Sequence, residues 1–142
     1  MSVFVVDASV VVKWFVPEIH SNAARRLLVL PHGYLAPDLL FAEAANTIWK
    51  KIRRKELTAE DGQRLVADIV RSAVEAVSCR ALAEDAHALA NATGRTVHDA
   101  MYVALAIRID TRLLTADDGL EAALRNVPEV GQRIQLIQTF AT

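Results

Sequence analysis

Short apolar-rich runs alternate with longer, punctuated segments along this chain. Val3 to Val6 is a continuous β-branched and aromatic run, the pattern of a strand buried on both faces, as in the middle of a parallel sheet. Tyr34 to Ala36, Val74 to Cys79, Arg112 to Ala116 and Arg133 to Ile137 read as further strands. Between them lie helix signals. Ser9 to Phe15 forms a short helix, and Ser21 caps a second through Leu30, closed by Pro31-His32-Gly33. Pro37 and Asp38 begin a long helix whose last turns carry Lys50, Lys51, Arg53, Arg54 and Lys55. Thr58 begins the next, with Glu60 and Asp61 in its first turn, and it reaches about Ser72. Ala81 to Ala92 follows with Gly94 as a left-handed terminator; Thr96 then caps a helix to about Ile109, and Gly119 to Arg125 is the last. This alternation specifies an α/β sandwich around a mostly parallel central sheet flanked by helices, in one domain spanning residues 1–142. It leaves strand order open.

Composition narrows the setting. A hydrophobic share of 53% is slightly high, which fits buried parallel strands, an apolar homodimer interface, or both. A net charge of −1 excludes a protein that grips nucleic acid by global positive charge, so any such contact is local or metal-mediated. The one cysteine, Cys79, forms no internal disulfide and no cysteine-rich zinc site, which suits a reducing cytoplasm and a packing role. The apolar stretch from Val3 to Val16 is broken by Asp7, Ser9 and Lys13, so a soluble cytoplasmic chain without a membrane span is expected.

Four carboxylates stand where apolar residues are the norm. Asp7 ends the first strand, Asp117 follows Leu113-Leu114-Thr115-Ala116, Glu43 lies inside Leu39 to Ala45, and Asp99 opens the apolar pattern from Ala100 to Ile109. Burying unpaired carboxylates is costly, and no Lys or Arg stands beside any of the four. A divalent ion would compensate them, and an all-carboxylate site selects a hard cation such as Mg2+ or Mn2+. Asp7 and Asp117 fall past the carboxyl ends of strands, where open α/β sheets bind ligands. Ser9, Asn46 and Thr115 are polar companions: Ser9 and Thr115 lie two residues from Asp7 and Asp117, and Asn46 stands one turn after Glu43.

Each acid also has a plainer reading. Asp99, three residues after Thr96, fits a variant capping box; Asp117 with Asp118 and Gly119 fits a turn and helix cap; Glu43 is solvated if its helix drifts outward. Asp7 is the hardest to explain structurally. The run Lys50 to Lys55 either complements the helix dipole or contacts phosphates beside the acids. His20, His32, His87 and His98 show no ligand spacing, and Trp14, Trp49, Tyr34 and Tyr102 read as core or interface aromatics.

Taken in order, Val5-Val6-Asp7-Ala8-Ser9, Pro37-Asp38-Leu39-Leu40-Phe41-Ala42-Glu43-Ala44-Ala45-Asn46, His98-Asp99 through Ala106, and Leu113-Leu114-Thr115-Ala116-Asp117 resemble the PIN domain, in particular the VapC toxins of type II toxin–antitoxin pairs. The resemblance covers nearly the whole chain. It implies a PIN-like three-layer sandwich and a dimeric, Mg2+- or Mn2+-dependent endoribonuclease held inactive by a VapB-type antitoxin. Asp7, Glu43, Asp99 and Asp117 would take its acidic roles, with Ser9 and Thr115 in support. Two rivals share the strand-end acids. A haloacid-dehalogenase-like phosphatase needs an aspartate where Ser9 stands, and a receiver domain needs paired acids after the first strand and a late lysine. A catalytically inactive domain that only binds RNA or a partner is the third alternative.

Overall fold

The first apolar run, β1 (Val3–Val6), becomes the middle strand of a five-stranded sheet, with Val5 and Val6 fully buried. The computed structural model describes residues 2–140. The other strands are β2 (Gly33–Pro37), β3 (Glu75–Val77), β4 (Leu113–Thr115) and β5 (Ile134–Leu136), in the order β3-β2-β1-β4-β5. Every pairing is parallel, so the sheet is wholly rather than mostly parallel among the described residues. The register sets Val5 beside Leu35 on one side and Leu113 on the other.

Helices supply the connections that parallel strands require. These are α1 (Ala8–Phe15), α2 (Ser21–Leu28), α3 (Leu39–Arg53), α4 (Ala59–Val70), α5 (Cys79–Thr93), α6 (Val97–Arg108) and α7 (Asp118–Leu124). α1 packs on α2, α3 and α4, whereas α6 packs on α5 and lies against β1 and β2. Thr58 and Thr96 cap α4 and α6 by accepting from the amides of Asp61 and Asp99, and Gly94 closes α5 at φ 76°. None of the described helices is long and apolar enough to cross a membrane.

Three boundaries differ from the sequence reading. Ser21 is the first residue of α2 rather than its cap; His20 takes the cap position in a left-handed conformation, and the Ser21 hydroxyl instead accepts from the Glu18 amide and donates to the Val16 carbonyl. Pro37 does not open α3 but ends β2, a place where its missing amide is tolerated. Asp38 precedes α3 without capping it. Its carboxylate accepts from the Cys79 amide and so secures the start of α5, which is why β3 stops at Val77 and Cys79 is helical.

The α3–α4 hairpin, which carries Glu43, closes over a glycine. A Cβ at Gly62 would lie 2.4 Å from Ile52 Cδ1 and 3.2 Å from Cγ2 of buried Ile48. We therefore expect Gly62→Val to overpack this crossing and cost about 2 kcal/mol, read as a lower urea midpoint.

Candidate active site

Parallel strands bring their carboxyl ends to one edge; the turns after β1 and β4 place Asp7 and Asp117 there, and two helices, α6 and α3, bring Asp99 and Glu43 to the same cleft. Asp7 is the N-cap of α1 and Asp117 the N-cap of α7, accepting from the amides of Val10 (3.3 Å) and Leu120 (3.0 Å). Asp99 sits in the first turn of α6. Glu43 comes from the side, in the second turn of α3. All four line one open cleft of about 270 Å³, together with Ser9, Asn46, Thr47, Lys50 and Tyr102. Thr115 does not line it; fully buried, it sits beneath and holds Asp7.

Burial is uneven, which corrects the expectation of four buried acids. Asp7 alone is buried, at 7% exposure, while Glu43 and Asp99 are half-buried and Asp117 is exposed. The physical reason is the openness of the sheet edge: side chains leaving helix starts there reach solvent. Asp99 also has a cation four residues before it, for Arg95 Nη2 lies 2.9 Å from its carboxylate.

Asp7 is held by three donors. Ser9 Oγ donates to Oδ1 at 2.5 Å beside the Val10 amide, and the Thr115 hydroxyl donates to Oδ2. Each hydroxyl spends its single proton on Asp7, so the 3.4 Å approach of Ser9 Oγ to Thr115 Oγ1 is contact rather than a further bond. The two hydroxyls also accept, Ser9 from the Ala116 amide and Thr115 from the Asp117 amide. Ser9 therefore serves Asp7 from the first turn of a helix, not along the extended chain that its spacing suggested. Burial raises the Asp7 pKa from 3.8 to about 6, with Asp117 adding repulsion, against the lowering pull of the three donors.

Glu43 is fixed across the cleft by Tyr102, whose hydroxyl donates to Oε1 at 2.5 Å and ties α6 to α3. Burial first, and that bond second, push the phenol pKa well above its ordinary value, so it remains a donor. Sequence reading missed Tyr102 as a site residue, taking it for packing. The available signal was its position three residues after Asp99, on the same helix face. Trp14, Tyr34 and Tyr102 are buried in the core, whereas Trp49 is exposed and lies outside it.

With this geometry in place, comparison with known proteins is decisive. The sequence profile of the PIN domain matches residues 4–125. The chain belongs to the PIN-domain family. Ribonuclease VapC3 of Pyrobaculum aerophilum is 37% identical over 115 residues, covering 80% of this chain and 88% of that relative. The fold matches the crystal structure of PAE2754 from the same organism with a TM-score of 0.70 at 22% identity, over 98% of this chain and 94% of the other. It also matches Mycobacterium tuberculosis VapC20, described as a sarcin–ricin loop cleaving toxin, at TM-score 0.63 and 18% identity over 84% and 94% of the two chains. Membership in the PIN family displaces the phosphatase and receiver readings.

The cleft of this PIN domain has the donors for a hard divalent cation: four carboxylates and amide or hydroxyl oxygens, with no thiol or imidazole on its walls. Among the described residues its most enclosed carboxylate has no cation beside it. The side chains are nonetheless not drawn together, and no three His, Cys, Asp or Glu among the described residues form a ready-made cage. Glu43 and Asp99 are instead engaged by Tyr102 and Arg95.

The raised Asp7 pKa gives a pH signature to the metal-free protein. Below pH 4 the carboxyl is neutral folded and unfolded. Between pH 4 and about 6 the unfolded chain ionises first, so stability falls as pH rises; the rise from 3.8 to about 6 amounts to about 3 kcal/mol. We expect Asp7→Asn to lose this slope and to melt level with or above wild type at pH 7. Paired urea titrations of the two proteins in chelator from pH 4 to 7 measure the difference.

Proposed function

We propose that this PIN domain is a metal-dependent endoribonuclease, the toxin of a VapBC-type toxin–antitoxin pair. The observation that carries the reading is the gathering of Asp7, Glu43, Asp99 and Asp117 around one open cleft at the carboxyl edge of a parallel sheet. The similarity to ribonuclease VapC3 supports it.

In this reading the four carboxylates would hold Mg2+ or Mn2+, which would supply an acidified water and charge stabilisation at the phosphate. The chain's part is to place oxygen donors and to keep them charged. Ser9 and Thr115 aim both oxygens of Asp7, the Val10 and Leu120 amides fix Asp7 and Asp117, and Tyr102 orients Glu43. Asn46, exposed one turn after Glu43, adds a neutral polar group to the wall facing the substrate. The open mouth admits a polymer from which an internal bond is cut. An intact acidic set argues against a domain that merely binds RNA.

Inhibition fits the same cleft. An antitoxin presenting Arg or Lys would pair with the acids in the way that Arg95 already pairs with Asp99. A homodimer belongs to the proposal, supported by the 53% apolar share and by aliphatic side chains left exposed at Ile107 and Ile109.

Cleavage of single-stranded RNA in Mg2+ or Mn2+, abolished by EDTA, is the expected result. Asp99→Asn or Glu43→Gln should lower kcat by at least about a hundredfold while leaving the far-ultraviolet spectrum and melting point near wild type. Undiminished cleavage in excess chelator overturns the metal mechanism. For assembly, light scattering should give twice the chain mass, and an antitoxin stripped of its basic residues should no longer inhibit.

A further inference from the structure

The basic run at the end of α3 contains cations with quite different surroundings. Lys51 is committed to Glu18 at 2.9 Å, which also takes Lys13 at 3.1 Å; burial works against this carboxylate's charge, but the two lysines outweigh it and hold its pKa below the ordinary value. Arg54 lies 4.0 Å from Glu56. Lys50 is different. It lines the acidic cleft, is exposed, and has no carboxylate within ion-pair distance among the described residues.

Helical spacing makes this part of a longer feature. Glu43, Asn46, Lys50 and Arg53 recur every three or four residues, so they form one stripe that runs out of the cleft along α3. From Glu43 to Arg53 this stripe is about 15 Å long, room for a short extended run of nucleotides. Beside it stands Trp49, 55% exposed, with the Arg53 guanidinium 5.6 Å from its ring centroid. An indole left this open is unusual in a chain whose other tryptophan, Trp14, is buried and donates to the Ala24 carbonyl.

We infer that this stripe of α3 is the track for a single-stranded segment of the RNA: the Lys50 ammonium takes a phosphate next to the one being cut, and the Trp49 indole, backed by Arg53, stacks on a base. This rests on the ribonuclease reading above. The electrostatic argument is direct. A phosphodiester entering a cleft of four carboxylates meets negative charge that one divalent ion would cancel only in part, and a lysine with no carboxylate partner among the described residues supplies a fixed positive charge at the point of entry. Aromatic stacking next to phosphate contacts is sequence-tolerant, so the track gives affinity and direction rather than base identity.

The test has two independent readouts. Since Trp14 is buried, quenching of tryptophan fluorescence on mixing with a short single-stranded RNA reports on Trp49. Read within seconds of mixing in Mg2+, it does not depend on cleavage. Steady-state cleavage of the same RNA gives KM and kcat. The expected result is quenching of the wild type. Trp49→Ala should raise KM by roughly fivefold or more with kcat little changed, and Trp49→Phe should restore most of the loss. Lys50→Gln should weaken binding and reduce the slope of log affinity against log salt by about 0.7, the loss of one phosphate contact on a single strand. Both side chains are exposed; if Trp49→Ala melts below wild type, Trp49→Phe and Lys50→Gln carry the test. Wild-type quenching without cleavage keeps the track and overturns the nuclease reading. Cleavage without quenching, with KM and salt slope unchanged in the variants, overturns the track and keeps the nuclease. Neither quenching nor cleavage overturns both. Loss of antitoxin binding with RNA kinetics intact assigns the face to a protein and also overturns the track.

Discussion

A carboxylate enclosed at the end of the middle strand, with no cation beside it among the described residues, is the constraint around which this fold is arranged. Asp7 is largely desolvated because β1 lies between β2 and β4, and it meets the open cleft with only 7% of its surface. Two hydroxyls and a backbone amide then become obligatory, and they come from α1 and β4. Those donors do not fully offset the burial cost, which is why the group ionises only near pH 6. The residual cost is what a bound cation would relieve, so stability and ligand affinity are linked at one side chain.

The remaining acids avoid that cost by different means. Asp117 stands at a helix start, where free amides and the helix dipole favour negative charge, and it keeps its solvent. Asp99 combines a first-turn position with a guanidinium from the preceding loop. Glu43 has no helix end to help it and relies on one phenol. Crowding four negative charges is thus tolerable because three of them are compensated locally and only one is largely buried.

The alternating pattern made the layered α/β class legible, and β-branched Val3 to Val6 marked the central strand. Strand order was not legible, because local periodicity carries no information on which strands become neighbours. The four acids could be found because a carboxylate at the end of an apolar run is conspicuous. Their degree of burial could not, since it depends on how far each helix start projects from the sheet. Tyr102 was hidden for a related reason: a tyrosine has many ordinary uses, and only the approach of α6 to α3 shows that it touches Glu43, whereas Arg95 reaches Asp99 locally, one helical turn away. Pro37 and Ser21 were misplaced by reading local helix-start preferences where a strand end and a tertiary hydrogen bond prevailed.

The Thr115 hydroxyl is a joint between two loops. It donates to Asp7, which follows β1, and accepts from the amide of Asp117, which follows β4. One atom therefore fixes the separation of two acids that are 110 residues apart in sequence. Substitutions in the two loops cannot be neutral independently of each other: a change that lengthens one contact loosens the other. Drift at these strand ends should be strongly epistatic, with the β1–α1 and β4–α7 turns exchanged between related chains as a matched pair and failing when exchanged singly.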